Sequence, residues 1–473
     1  LHALRDLGEP GTEERKTIKW KTSIAVLPFK NMSADPEQEY FCEGLAEELI
    51  NVLTQLDDLR VVARTSAFSF KDKELDVREI GRKLNVEQVL EGSVRKAGSR
   101  LRITTQLVNV SDGYHLWSER FDREMEDVFE IQDEISQAVS EKMRVLGGGE
   151  EGTAKRYTKD PEAYTLYLKG IYWRRMLTVI QVTKSIEYFE RAIERDPDFA
   201  LAYAAMGYAY QVLYFYSPTP TRDSYLKAKE KSLKALELDD RLAEGHEAYG
   251  VVLGYLEFDW KGSEAEFRRA LELNPGYAWA HFHLASMYLF QGRLDEALPQ
   301  IEKANRLDPM NIAFKRNLAL IHFNLGNMQE AEEIFLRTIK IDPFLPGLHS
   351  YLGFLYLKEG RNDEALDMMK QDSISGVVSA LQIGIVYAWM GRTDDASKIR
   401  DEWDERSQKE YVSSYLMAAL NFALGNKDEG FFWLEKGYAE NDGRMINVKI
   451  DFLMDPVRDD PRYRALLKKM NLF

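Results

Sequence analysis

The distribution of apolar residues divides the chain into two regimes. Up to about residue 146 the pattern switches repeatedly between short strands and short helices. Ile24-Ala25-Val26-Leu27-Pro28-Phe29 is an apolar run closed by a proline and predicts a buried strand. Over 38–56, Phe41, Leu45, Leu49, Val52, Leu53 and Leu56 recur at three- and four-residue steps, which gathers them on one face of a helix. Leu59–Ala63 predicts a second strand, and 76–84 a short helix with Val77, Ile80 and Leu84 inward. A hairpin over 86–96 and 100–110 follows. In its returning arm Leu101, Ile103, Thr105 and Leu107 alternate with Arg100, Arg102, Thr104 and Gln106, the period of a sheet with one wet face. A strand over 114–122 and a helix over 126–146 complete the order β-α-β-α-β-β-β-α.

Beyond residue 160 the pattern becomes helical and periodic. Asn274-Pro275, Asp308-Pro309 and Asp342-Pro343 stand 34 residues apart, and Gly292, Gly326, Gly360, Gly391 and Gly425 follow at steps of 34, 34, 31 and 34. Two independent markers share a 34-residue period, which identifies tetratricopeptide-type helix pairs. Leu284, Ala285, Tyr288, Ala297, Ala304 and Pro309 occupy the large, small, aromatic, small, small and proline positions of that pattern. Leu318, Ala319, His322, Ala331, Thr338 and Pro343 repeat it. Small residues let paired helices approach, glycine permits the turn between them, and proline stops one helix before the next. About eight units fit between 160 and 440. The unit ending at Asn274-Pro275 has one extra residue, and an earlier one carries about nine around Leu213–Thr221.

The expected fold is therefore multidomain: a compact α/β domain followed by an all-α repeat superhelix. We assign 1–21 to an arm, 22–148 to the α/β domain, 149–160 to a linker, 161–440 to the repeats and 441–473 to a C-terminal capping segment. The glycines from 147 to 152 lead us to expect an α/β unit that folds on its own.

The α/β segment resembles the amino-terminal domain of the TolB-like family through Ile24–Phe29, Tyr40-Phe41-Cys42-Glu43-Gly44-Leu45, Asp76–Gly81, Leu90–Arg95 and Leu116–Asp122. In bacterial signalling proteins such a domain commonly precedes tetratricopeptide repeats, with a kinase, cyclase or winged-helix domain upstream. The resemblance implies a sensory or scaffolding module and supplies no catalytic residue.

Candidate chemistry adds little. Gly147–Gly152 has glycines at G-x-G-x-x-G spacing, but it follows a helix, and Glu150 and Glu151 would repel phosphate. No Walker motif, kinase catalytic loop or G-x-S-x-G elbow is present. His281 and His283 are two apart on a helix and cannot chelate together. Cys42 is the only cysteine, which excludes an intrachain disulfide. Arg95, Lys96, Arg100, Arg102, Arg120 and Arg123 gather on the hairpin and following strand. In an acidic segment of a chain with net charge −15 they read as a solvated face rather than a nucleic-acid patch.

We therefore expect a non-catalytic protein-interaction scaffold or regulatory module, without cofactor or metal, in the cytoplasm, or in the periplasm if a membrane anchor precedes Leu1. No segment is apolar and long enough for a membrane span, and this chain itself is expected to bind no nucleic acid. A small-molecule sensor and an enzyme with a site between the two domains are the alternatives; homo-oligomerisation stays open. On the repeat pattern, Trp279, Phe282, Phe290, Phe323, Phe354 and Trp389 line the concave groove with Arg316. That array would grip apolar side chains of a partner protein or peptide.

Overall fold

The computed structural model describes residues 21–473, apart from 34, 36–37, 55, 57–58, 74, 99, 125–127, 146–156, 175–177, 217–221, 344–346 and 373–375. The arm over 1–20 and the 146–156 boundary, with its glycine run, lie outside the described residues.

The first region is a sheet with helices against it. In chain order it comprises β1 (Thr22–Val26), β2 (Lys30–Asn31), α1 (Glu39–Leu53), β3 (Leu59–Val61), α2 (Arg64–Phe68) and α3 (Val77–Leu84). β4 (Gln88–Ala97), β5 (Arg100–Asn109), β6 (His115–Glu124) and α4 (Val128–Val145) follow. The strands lie in the order β3-β1-β4-β5-β6, with β2 beside β4. β3, β1 and β4 run parallel, whereas β4, β5 and β6 form an antiparallel meander. Parallel neighbours need a crossover, which α1 and the α2–α3 stretch supply; the antiparallel strands need only tight turns. The alternation read in β5 is real: Leu101, Ile103, Thr105 and Leu107 are buried while Arg100 and Arg102 face solvent. Phe41, Leu45, Leu49 and Leu53 of α1 are buried on one stripe. Helix α3 starts at Asp76, whose carboxylate accepts the Arg78 N–H, and stops where Asn85 turns left-handed at φ 53°.

The second region is a succession of helix pairs, eight among the described residues. They are α5–α6 (Pro161–Arg174, Val179–Arg195), α7–α8 (Ala200–Tyr216, Arg222–Leu238), α9–α10 (Ala243–Val251, Trp260–Leu273) and α11–α12 (Ala278–Phe290, Leu294–Leu307). Then come α13–α14 (Ile312–Leu325, Met328–Ile341), α15–α16 (Leu348–Lys358, Asn362–Gln371), α17–α18 (Gly376–Trp389, Thr393–Arg406) and α19–α20 (Ser414–Ala423, Lys427–Ala439). Gly292, Gly326, Gly360, Gly391 and Gly425 all have positive φ, between 72° and 84°, so each spaced glycine makes the turn inside its pair. Asn274, Asp308 and Asp342, each before a proline, are extended and end their helices. Arg293, Arg361 and Arg392 recur directly after a turn glycine. Each guanidinium covers a tyrosine of the preceding helix (Tyr288, Tyr356, Tyr387) and pairs with an acid three residues on (Glu296, Glu364, Asp395).

The single extra residue of the third unit has a physical location. Val252–Leu256 continues α9 as a π-turn, with the Glu257 N–H donating to the Val252 carbonyl five residues back. A π-turn absorbs one inserted residue without shifting the helix faces on either side.

The two regions pack as one body. Leu45 and Leu49 of α1 belong to the same apolar cluster as Leu168, Phe189 and Val212 of the first repeats. At Gly44 there is no room for a side chain, because Leu168 of α5 fills the space. The repeat turn after α12 closes a second contact. The Ala63 N–H donates to the Leu307 carbonyl at 2.8 Å, Asp308 accepts the Ser66 N–H at 2.9 Å, and the Met310 N–H donates to Ser66 Oγ at 2.7 Å. The helical face of the α/β unit is thus covered by the repeats rather than by solvent. A third contact brings acids together. Glu48 of α1 faces Glu47 and Glu244, and burial with these neighbours pushes its pKa from 4.5 up to about 8.

Because Glu48 binds its proton more tightly folded than unfolded, its cost to stability grows as pH rises from 4.5 to 8. Glu48→Gln should stabilise the protein by up to ~4 kcal/mol at pH 8 and change little at pH 4.5. Urea unfolding at the two pH values checks it; equal effects at both would show that the carboxyl is not strained.

Candidate functional site

The helices α7, α9, α11, α13, α15, α17 and α19 present the inner face of the array, where the sequence places the groove. The structure fills much of that groove with the chain's own end. After α20 the backbone makes two 3₁₀ turns, Gly443–Asn447 and Phe452–Val457, before α21 (Pro461–Lys469). Asp442 starts this segment by accepting Ser413 Oγ at 2.7 Å and the Tyr415 N–H at 3.1 Å. Tyr415 Oη donates to Asp451 at 2.7 Å, and Arg458 ties the segment to itself through the Lys449 and Asp451 carbonyls.

The predicted groove residues separate into four groups. Phe323, Phe354 and Trp389 surround Phe452, with ring centroids 6.0, 6.1 and 5.6 Å away. Phe323 and Phe354 are buried as a result, and Trp389 stays 41% exposed. Phe290 packs edge-on to Tyr255 at 5.6 Å. Trp279 and Phe282 are half-buried against Phe314, at 5.0 and 4.9 Å. Arg316 is half-exposed and makes no ion pair among the described residues. The groove as a continuous open lining is thus corrected. Its lower half already grips an aromatic side chain, supplied by this chain rather than by another.

The segment also reaches across the array. Tyr214 of α7 donates to the Asn441 carbonyl, Trp260 Nε1 of α10 donates to the Met470 carbonyl at 2.7 Å, and Asn471 donates to the Phe258 carbonyl at 3.1 Å. The end of the eighth pair is thereby tied to the second and third, and the superhelix closes on itself. Capping of the last pair was expected from the sequence; the return to α10 was not. The signal for it was present. Met445, Ile446, Val448, Ile450, Phe452, Leu453 and Met454 are too apolar for a solvated linker; 446–452 alternate with Asn447, Lys449 and Asp451 at strand spacing, yet the backbone there makes 3₁₀ turns.

Elsewhere the chemistry is structural. His281 contacts Gln300 and the Pro275 carbonyl, and burial lowers its pKa to about 4, so its ring is neutral. His283 lies 3.1 Å from Glu247. Among the described residues no group of three or more His, Cys, Asp or Glu could hold a metal, and no helix is long and apolar enough to cross a membrane. Cys42 is buried, which pushes its thiol up to about 12. On the sheet, Arg102 pairs with Asp122 at 2.7 Å, Arg120 with Asp122, Arg100 with Glu124 and Arg123 with Glu134, so much of the basic cluster is neutralised.

These features define a mixed α/β domain joined to a tetratricopeptide array. Residues 266–298 and 288–346 match tetratricopeptide-repeat family models. Residues 20–138 match the family described as "HilA/YgeH-like transcriptional regulator, second domain", so the finer TolB-like name drawn from the motifs is not supported. Among curated proteins, the chain is 36% identical over 239 residues to "Putative adenylate cyclase 3" of Rhizobium meliloti, covering 50% of this chain and 41% of that protein. It is 21% identical over 378 residues to "Transcriptional regulator HilA" of Salmonella typhimurium, covering 77% of this chain and 65% of that protein. The chain therefore spans less than two-thirds of either relative. Among solved structures, yeast Tom70 aligns over 68% of this chain and 70% of its own, at 17% identity and a TM-score of 0.38.

Phe452→Ala should cost ~3–5 kcal/mol, since it empties a pocket between three aromatic rings. Chemical unfolding measures the loss. Trp389 emission, taken as the difference from a Trp389→Phe background, should shift to the red. Unchanged emission would mean that Phe452 does not hold the groove shut.

Proposed function

We propose that this chain is a non-catalytic regulatory module of a larger bacterial signalling protein, holding protein partners through its repeats. The observation that carries this reading is the pairing of relatives. One is named for cyclase output and the other for transcriptional output, and each shares only part of its length with this chain. A stretch common to proteins of different output fits a regulatory role better than a catalytic one. The welding of the α/β domain to the repeat turns supports it physically, because a partner seated on the array would be felt in the sheet. Ion pairs from the β5 and β6 arginines to Asp122, Glu124 and Glu134, within a chain of net charge −15, support leaving nucleic-acid contact out of this module. With the lower groove occupied, the partner surface falls on the upper inner face around Trp279, Phe282 and Arg316.

Two outcomes are expected. The purified chain with ATP and magnesium forms no cyclic AMP and releases no phosphate. Turnover that a point substitution in this chain abolishes would overturn the reading. In the native host, Arg316→Glu with Phe282→Ser should reduce crosslinked partner protein at least tenfold while circular dichroism shows the purified variant still folded, at a stability cost of ~1–3 kcal/mol from the lost packing on Phe314. Undiminished crosslinking would remove this face from the partner site.

A further inference from the structure

Between the inner face and the returning C-terminal segment a cavity of about 120 Å³ remains. Leu320, Phe354 and Phe452 form its apolar wall; Asn324, Arg444 and Asn447 are polar groups at its boundary. We propose that this cavity binds a small organic carboxylate with a ring-sized apolar body, the anion seated on Arg444. The inference goes beyond the regulatory reading and does not need a protein partner.

Size sets the first limit. A cavity of ~150 Å³ in a protein core accepts one benzene molecule, so this partly open one is matched in size to a single small ring. Charge sets the second. The Arg444 backbone is fixed at both ends: its N–H donates to Asp442 at 3.0 Å and its carbonyl accepts from Asn447. Its guanidinium makes no ion pair among the described residues. The acid in the same boundary, Asp451, does not serve as counter-ion. Its two oxygens accept Tyr415 Oη and the Leu453 N–H, and burial raises its pKa. Asp372, behind the cavity, accepts the Ser350 N–H at 2.9 Å. A guanidinium without an ion pair at the boundary of apolar walls, with the nearby acids engaged, matches a carboxylate on an apolar body. Inorganic phosphate is a poorer match, because one cation and two carboxamides cannot satisfy it and the wall offers it nothing.

Isothermal titration of the full chain with benzoate, benzamide and inorganic phosphate tests this. Benzoate should bind saturably at one site. Benzamide, of the same shape without the charge, and phosphate, with charge but no ring, should each bind at least tenfold more weakly. Arg444→Gln should weaken benzoate ten- to a hundredfold and leave benzamide unchanged. Leu320→Trp, which fills the wall, should abolish both, with circular dichroism confirming that each variant is folded. Absence of benzoate binding, equal binding of benzamide or phosphate, or full benzoate binding by Arg444→Gln would each overturn the proposal.

Discussion

A stack of helix pairs always has two ends, and each end exposes an apolar face that its interior neighbours bury against one another. The whole molecule is arranged around that constraint. At the first end α5 has no preceding pair, and α1 of the α/β domain takes the place of one: Leu168 lies over Gly44, and a single apolar cluster runs from the sheet into the second repeat. At the other end, residues 443–457 and α21 cover α19 and α20 and return to α10. The α/β domain is therefore a terminal cap as well as a domain, and its helical face has no complete core without the repeats.

The same constraint explains why the inner groove is not an open trough. Aromatic side chains on an inner face are costly in water, and the chain supplies Phe452 to three of them. What remains to receive anything else is small and particular: the half-buried Trp279 and Phe282 with Arg316, and the partly open cavity at Arg444. Specific binding at such places depends on a few well-placed groups rather than on area.

Local periodicity made most of the fold legible. The strand and helix order of the first region follows from two-residue and three-to-four-residue spacings. The repeat follows from glycines and prolines whose backbone angles leave few alternatives. Even the extra residue of the third unit was visible as a miscount, although its form as a π-turn was not. The two features that escaped are both long-range. Nothing local in Ala63, Ser66 or Asp308 announces that they meet across more than 240 residues. Likewise Phe452 sits in a segment whose alternation suggests a strand, whereas the chain makes 3₁₀ turns there and its partners come from three different repeats. Aromatic positions on the inner face could be read from the pattern; whether water, a partner or the chain's own end covers them could not.

The tie between Trp260 and Met470 spans 210 residues of sequence. At the ~5–20 residues per second of protein synthesis, about 10–40 s separate the appearance of its two halves. During that interval the earlier pairs can stack and turn while Phe323, Phe354 and Trp389 have nothing over them. The nascent array is thus a sticky open crescent that becomes a closed ring only when its last turn arrives. Its exposure to aggregation or to chaperones is set by translation speed over the final repeats rather than by the stability of the finished fold.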